Sequence, residues 1–309
     1  MRGGLLDIES LERPQIEAIL RRAKDFQPAP GQTFGRFDIL RGRTVVNLFF
    51  EASTRTRTSF EIAAKRLGAD TLSITGSNSS VTKGESLVDT LNTLGAMRPD
   101  AIVMRHSASG APHFLSRYLP IPIVNAGDGT HEHPTQALLD ALTILDWIDP
   151  AAVPKSLEGL RVAIIGDIAH SRVARSNVFL LSKFSVSVVL CGPASLLPRE
   201  LAYIAPGVEL TYDMQDAIRD ADVIMMLRVQ LERQHEAPIS PNEYFQFYGL
   251  RPEHMQSAKP GVIVMHPGPI NRGREISSEV ADSKRSAILN QVENGIAVRM
   301  AVLERVLAK

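Results

Sequence analysis

A single cysteine, Cys191, among 309 residues excludes an internal disulfide, and with no ligand cluster around it argues against a structural zinc site. It ends the apolar run Val186-Ser187-Val188-Val189-Leu190, where packing is its expected role. No stretch approaches the roughly 20 uninterrupted apolar residues a membrane span needs. The opening Met1-Arg2-Gly3-Gly4-Leu5-Leu6-Asp7 lacks the apolar segment of a secretion signal. A cytoplasmic chain is expected. Net charge is absent too, because 34 Lys and Arg balance 34 Asp and Glu. Neither nucleic acid nor a membrane surface is therefore expected as a partner, and any anion has to be captured locally. Internal repeats and low-complexity tracts are also missing. What is present is apolar bulk, 44% of the chain, enough at this length for one large domain or two ordinary ones.

That bulk is arranged in short β-branched runs alternating with helical patterns. The first half holds Arg43 to Phe50, Asp100 to Arg105 and Ile121 to Asn125; the second holds Leu160 to Asp167, Val186 to Cys191, Asp222 to Leu227 and Gly261 to His266. Near-continuous apolar strands between helices predict parallel sheets covered on both faces, an α/β fold with two doubly wound domains. Two prolines near Pro150 and Pro154 mark a boundary, giving domains at residues 1–149 and 150–285. From Ser286 onward Leu289, Val292, Ile296, Met300, Leu303 and Leu307 recur at helical spacing and predict one apolar face of a long helix, residues 286–309, packing back on the first domain. Gln230 to Leu250, rich in charge, proline and aromatics, reads as a long surface loop of the kind used as a lid.

Chemistry concentrates at Phe49-Phe50-Glu51-Ala52-Ser53-Thr54-Arg55-Thr56-Arg57-Thr58-Ser59-Phe60-Glu61. An apolar strand runs straight into hydroxyls and guanidiniums and then into a helix. Ser53 or Thr54 suits the N-cap, Phe60, Ala63, Ala64 and Leu67 make the buried stripe, and Gly68 is the stop. Unpaired N–H groups and the positive end of the helix dipole, joined by Ser, Thr and Arg, make a phosphate cradle. The bland alternative is a capped helix with solvated arginines. A Walker A loop is excluded by the missing Gly-x-x-x-x-Gly-Lys spacing. His131-Glu132-His133 lacks both the His-Glu-x-x-His spacing of a helical metal site and an evident third ligand, so no metal is expected.

Ser53-Thr54-Arg55-Thr56-Arg57 resembles the carbamoyl-phosphate signature of the aspartate and ornithine carbamoyltransferases. The resemblance continues in order through Lys83-Gly84-Glu85, Met104-Arg105-His106, His133-Pro134-Thr135-Gln136, Gly166-Asp167 with Arg172, Arg228-Val229-Gln230 and His266-Pro267-Gly268-Pro269, spanning roughly residues 47 to 275. It implies a carbamoyl-phosphate domain followed by a Rossmann-like amino-acid domain. By that resemblance Ser53, Thr54, Arg55, Thr56 and Arg105 hold phosphate, while Arg55, Thr56 and His133 polarise the carbamoyl C=O. Gln136 binds the carbamoyl NH₂, and the backbone of Gly268 and Pro269 faces the carbamoyl NH₂ or the substrate amine. Arg172, Arg228 and Gln230 take the amino-acid carboxylates, and Lys83 also binds the amino acid. Ser79 and Lys83 reach into a neighbouring subunit's site, which implies a homotrimer with shared sites. Larger complexes with regulatory or dihydroorotase-like chains are known in the family.

The two branches differ in the group the second domain must bind, a carboxylate or a cation. Arg228 and Gln230 suit a carboxylate. The family's ornithine branch has a Ser-Met-Gly element, a His-Cys-Leu-Pro tetrapeptide and a lysine where this chain has Glu51; none is present here. The expected substrates are therefore carbamoyl phosphate and L-aspartate, with no cofactor, joined by direct attack of the amine. Closure over the substrates is a further expectation. Three rivals stay open: an ornithine or other amino-acid carbamoyltransferase, an inactive carbamoyltransferase-like scaffold chain, and a nucleotide-binding Rossmann protein suggested by Val162 to Asp167.

Overall fold

The computed structural model describes residues 4–75, 87–148, 156–229 and 239–308. Apolar, β-branched segments form two sheets in which every strand pair is parallel. The first comprises β1 (Thr44–Phe49), β2 (Asp70–Thr75), β3 (Ala101–His106) and β4 (Ile123–Asp128), in the spatial order β2-β1-β3-β4. The second comprises β5 (Arg161–Ile165), β6 (Ser187–Cys191), β7 (Val208–Thr211), β8 (Val223–Met226) and β9 (Ile263–Met265), in the order β7-β6-β5-β8-β9. The inner strands β1, β3, β5, β6 and β8 are largely buried on both faces, as uninterrupted apolar runs require.

The helices follow the expected plan. In the first half these are α1 (Arg13–Phe26), α2 (Thr54–Arg66), α3 (Leu87–Ala96), α4 (Ala111–Ser116) and α5 (Pro134–Ile148). In the second they are α6 (Arg172–Ser182), α7 (Met214–Ile218), α8 (Pro241–Tyr248), α9 (Ser278–Ala281) and α10 (Ile288–Leu307). The predicted stripe of α2 is fully buried at Phe60, Ala63, Ala64 and Leu67, and Gly68 ends the helix at φ +85°. Cys191 packs at the end of β6, and burial, with Asp213 nearby, pushes its thiol up to about 12, leaving it unreactive at neutral pH.

Two compact units result, residues 1–139 with 293–309, and residues 140–292. Both borders fall inside helices, in α5 and in α10. In the first unit α10 returns as expected: Arg299 donates to Ser59 Oγ at 2.8 Å and lies 5.1 Å above the Phe60 ring, and Arg22 grips both carboxylate oxygens of Glu304 at 2.6 and 2.8 Å.

Three expectations are corrected. Leu289 and Val292 are not on the buried face of α10 but 81% and 52% exposed. The buried side of those turns carries Gln291 and Asn294 beside Ile288, and the two polar side chains are held by hydrogen bonds. Part of the predicted long loop is α8, capped by Ser240 accepting from Glu243 N and anchored by the buried Tyr244. Finally, β2 and β7 had no counterpart among the predicted strands; both are edge strands with mixed, half-exposed sequences.

Candidate active site

In parallel α/β sheets ligands bind outside the carboxyl ends of the strands, where the strand order reverses. The first sheet reverses between β1 and β3, and there the Ser53 to Arg57 segment, the expected phosphate cradle, lies. The chain leaves β1 after Phe49 and enters α2 with Ser53 at the N-cap position in extended conformation. The Ser53 hydroxyl does not cap the backbone; it donates to Thr56 Oγ1 at 3.0 Å. The leading N–H groups of α2 have no intrahelical acceptor by construction, so donors and the dipole's positive end face the same place. Arg55 and Thr54 are exposed, whereas Thr56 is buried. Arg57 points along the helix toward Glu61 at 3.8 Å.

Across the reversal, Arg105 pairs with Phe49 in the strand register. Its guanidinium, 11% exposed, reaches Glu51 Oε1 at 2.7 Å and Ala126 O at 3.2 Å. Glu51 thus orients a cation beside the cradle, a role that sequence reasoning missed. Its position in the signature segment was the available signal.

His133 and Gln136, both buried, come from the turn after β4 and the first turn of α5. The His133 carbonyl accepts from Gln136 N at 2.9 Å, starting the helix. The turn rests on the fully buried Asp128, which accepts from Asn125 Nδ2 at 2.8 Å, Gly110 N at 2.6 Å and Glu132 N at 3.1 Å and meets His131 Nδ1 at 3.1 Å. Burial raises the Asp128 pKa, but these partners outweigh it and hold the carboxyl below the usual range. His131 is pushed up, chiefly by its hydrogen bond to Asp128.

A neighbouring pair, His113 Nε2 with Asp7 Oδ2 at 2.6 Å, ties the N-terminal segment to α4. Burial works upward on Asp7 also, yet the bonds from His113 and Ser10 bring it down to about 2. The depressed Asp7 contributes stability above its ordinary 3.8 and loses it as pH falls toward about 2. The raised His131 contributes below its ordinary 6.5 and loses its share as pH climbs past its folded value. Thermal melts are expected to show both losses, and Asp128→Asn is expected to flatten the alkaline one. An unchanged alkaline slope in that variant would rule out the His131 share.

The second sheet reverses between β5 and β8. Gly166 follows β5 with φ +142°, and a Cβ there would stand 2.9 Å from Leu227 Cβ, so only glycine lets β8 continue past it. Asp167, buried, accepts from His170 N at 3.2 Å and meets His170 Nδ1 at 2.8 Å. Arg172 opens α6, whose N-cap Ser171 accepts from Ala174 N at 3.1 Å; Arg172 itself is buried. Arg228, half-buried, follows β8, where Leu227 N still bonds Ile165 O at 2.8 Å.

Beyond β9, the segment carrying Gly268 and Pro269 is fixed from beneath by His266. This buried ring accepts the Gly268 N–H at Nδ1 (2.8 Å), which leaves the proton on Nε2 to donate to Glu275 Oε1 at 3.1 Å. Gln291 accepts His266 N at 2.9 Å and donates to Asp140 at 2.7 Å. Glu275, Gln291 and Asp140 carried no signal in the sequence. Ser79, Lys83 and Gln230 lie outside the described residues.

A parallel α/β chain with arginines and hydroxyls at the switch points of two sheets is built to hold anionic substrates. Family models agree with that class: the aspartate/ornithine carbamoyltransferase carbamoyl-P binding domain matches residues 4–146 and the Asp/Orn binding domain matches residues 158–306. The chain belongs to the aspartate/ornithine carbamoyltransferase family. Among its relatives, the aspartate carbamoyltransferase catalytic subunit of Solibacter usitatus is 76% identical over 307 residues, covering 99% of this chain and all of that one. The aspartate transcarbamoylase of Trypanosoma cruzi in complex with N-(phosphonacetyl)-L-aspartic acid superposes with a TM-score of 0.86 at 33% identity, covering 99% of this chain and 96% of that one. The ornithine carbamoyltransferase of Pyrococcus furiosus gives 0.84 at 28% identity, covering 98% and 96%. Backbone similarity therefore does not separate the two substrates, and side chains must.

Proposed function

We propose that the chain transfers the carbamoyl group of carbamoyl phosphate to the amine of L-aspartate, giving N-carbamoyl-L-aspartate and phosphate. The observation that carries the reading is the run Ser53 to Thr56 at the start of α2 beside Arg105, in a chain 76% identical to an aspartate carbamoyltransferase catalytic subunit. In this reading the helix start and Arg105 hold the phosphate. Arg55, Thr56 and His133 donate to the carbamoyl oxygen as it gains charge, Gln136 and the carbonyls of Gly268 and Pro269 receive the N–H groups, and Arg172 and Arg228 take the two carboxylates. The neutral amine attacks the carbonyl carbon, the tetrahedral intermediate collapses, and phosphate leaves with the amine's proton. No covalent enzyme intermediate is required; positioning and charge stabilisation supply the rate.

The carbamoyl-phosphate half is assigned to the first domain and the aspartate half to the second. With Ser79, Lys83 and Gln230 in the roles the family implies, the working unit is a homotrimer that shares its sites, placed in cytoplasmic pyrimidine biosynthesis and able to join regulatory or dihydroorotase-like chains. Among the described residues no helix is long and apolar enough to cross a membrane. The test offers the purified protein carbamoyl phosphate with aspartate, with ornithine, or with neither. Carbamoyl-aspartate is the expected product; carbamoyl-ornithine, or no turnover with either amine, would overturn the reading.

A further inference from the structure

Glu132 precedes His133 directly and is fully buried. A carboxylate taken out of water is costly unless hydrogen-bond donors receive it. Its donors come from 124 and 123 residues away: Ile8 N at 3.0 Å to Oε2 and Glu9 N at 3.2 Å to Oε1. The main chain of Glu132 is fixed as well. Its carbonyl accepts Asp128 N at 3.1 Å and its N–H donates to Asp128 Oδ1 at 3.1 Å, closing a short antiparallel bridge. On the other side of His133, Pro134 occupies the first position of α5, which confines the preceding residue to extended backbone. His133 is thus suspended between a bridged, side-chain-clamped residue and a helix start.

We propose that Glu132 is a positioning residue for His133, and that the N-terminal segment at Ile8 and Glu9 is the other jaw of the clamp. The inference rests on the carbamoyl-transfer reading of His133. Its chemical sense is one of distance. A donor that stabilises charge on the carbamoyl oxygen works only at hydrogen-bond range of that atom, and misplacing a reacting group by about 1 Å can cost on the order of a hundredfold. The phosphate, in contrast, is held by Ser53 to Thr56 and Arg105, on other elements of the same unit. Loosening the clamp should therefore slow turnover without weakening carbamoyl-phosphate binding.

Two substitutions attack the clamp from opposite sides. Glu132→Gln keeps one acceptor and turns an NH₂ toward the other amide. Glu9→Pro removes the second donor without touching the active site. Leu11 N bonds Ile8 O at 3.1 Å, so Glu9 is the second residue of a β-turn, a position that favours proline. Each variant is expected to lower kcat about tenfold with the carbamoyl-phosphate KM within about twofold of the parent. The double variant should lose little more than either alone, as partners in one interaction do. Arg22→Ala, which removes the pair with Glu304, serves as a control expected to melt earlier at unchanged kcat.

Full kcat in both clamp variants would overturn the proposal. So would a loss that follows thermal stability and recurs in Arg22→Ala. Absence of turnover in the unaltered protein would instead count against the carbamoyl-transfer reading itself.

Discussion

Arg55→Ala is expected to lower kcat by about 10² to 10³ while leaving the fold intact, the range found when one preorganised donor to a developing oxyanion is deleted. The fold should survive because Arg55 is exposed at the second residue of α2 and takes no part in the stripe of Phe60, Ala63, Ala64 and Leu67. Its value is geometric. A planar guanidinium at a helix start can reach phosphate and carbonyl oxygens together, which an ammonium on a flexible stem does less well. Arg55→Lys should therefore recover only part of the loss. Steady-state kinetics with carbamoyl phosphate and aspartate, alongside circular dichroism, make the test; a variant that turns over within threefold of the parent would remove Arg55 from the reaction.

Arg228→Ala should act on the other substrate. Two charge-assisted hydrogen bonds to a carboxylate, each contributing on the order of 1.5 kcal/mol or more, make a loss of about a hundredfold in apparent affinity for aspartate. The carbamoyl-phosphate KM should hardly move, because Arg228 follows β8 in the second sheet whereas Ser53 to Thr56 and Arg105, the proposed phosphate residues, belong to the first. Removing a cation does not build a site for ornithine, so no carbamoyl-ornithine should form. Equal aspartate KM in variant and parent would break the assignment.

The parts of this molecule legible in its sequence are those governed by local rules. The apolar run ending at Phe49, the hydroxyl and arginine cluster after it, and the stripe of α2 specify strand, helix start and buried face without help from distant residues. Gly68 ended its helix as expected for the same reason. Edge strands β2 and β7 were illegible because an edge needs no continuous apolar run. The first turns of α10 misled because their buried face mixes Ile288 with the polar Gln291 and Asn294. Gln291 is buried for its bonds to Asp140 and His266, and periodicity registers only apolar burial. In the candidate site, the motif residues Arg105 and His133 stand out in the sequence, whereas the contacts of the carboxylates near them do not. Glu51 stands out in the sequence only as a branch marker and Glu132 only within a rejected metal motif, because their partners, Arg105 and the amides of Ile8 and Glu9, are set by tertiary structure.

The passage of the chain through α5 into the second unit and back through α10 has a bearing on synthesis. Residues 293–309 belong to the unit whose other residues are made first, while residues 140–292 lie between. The middle unit can therefore complete its own core before the opening one can, since Arg299 and Glu304 reach Ser59 and Arg22 only after residues 140–292 have been made. The usual order, in which the earliest-made domain folds first, can therefore be inverted here, because the unit containing Ser53 to Thr56 lacks the later turns of α10 until the intervening residues have been made.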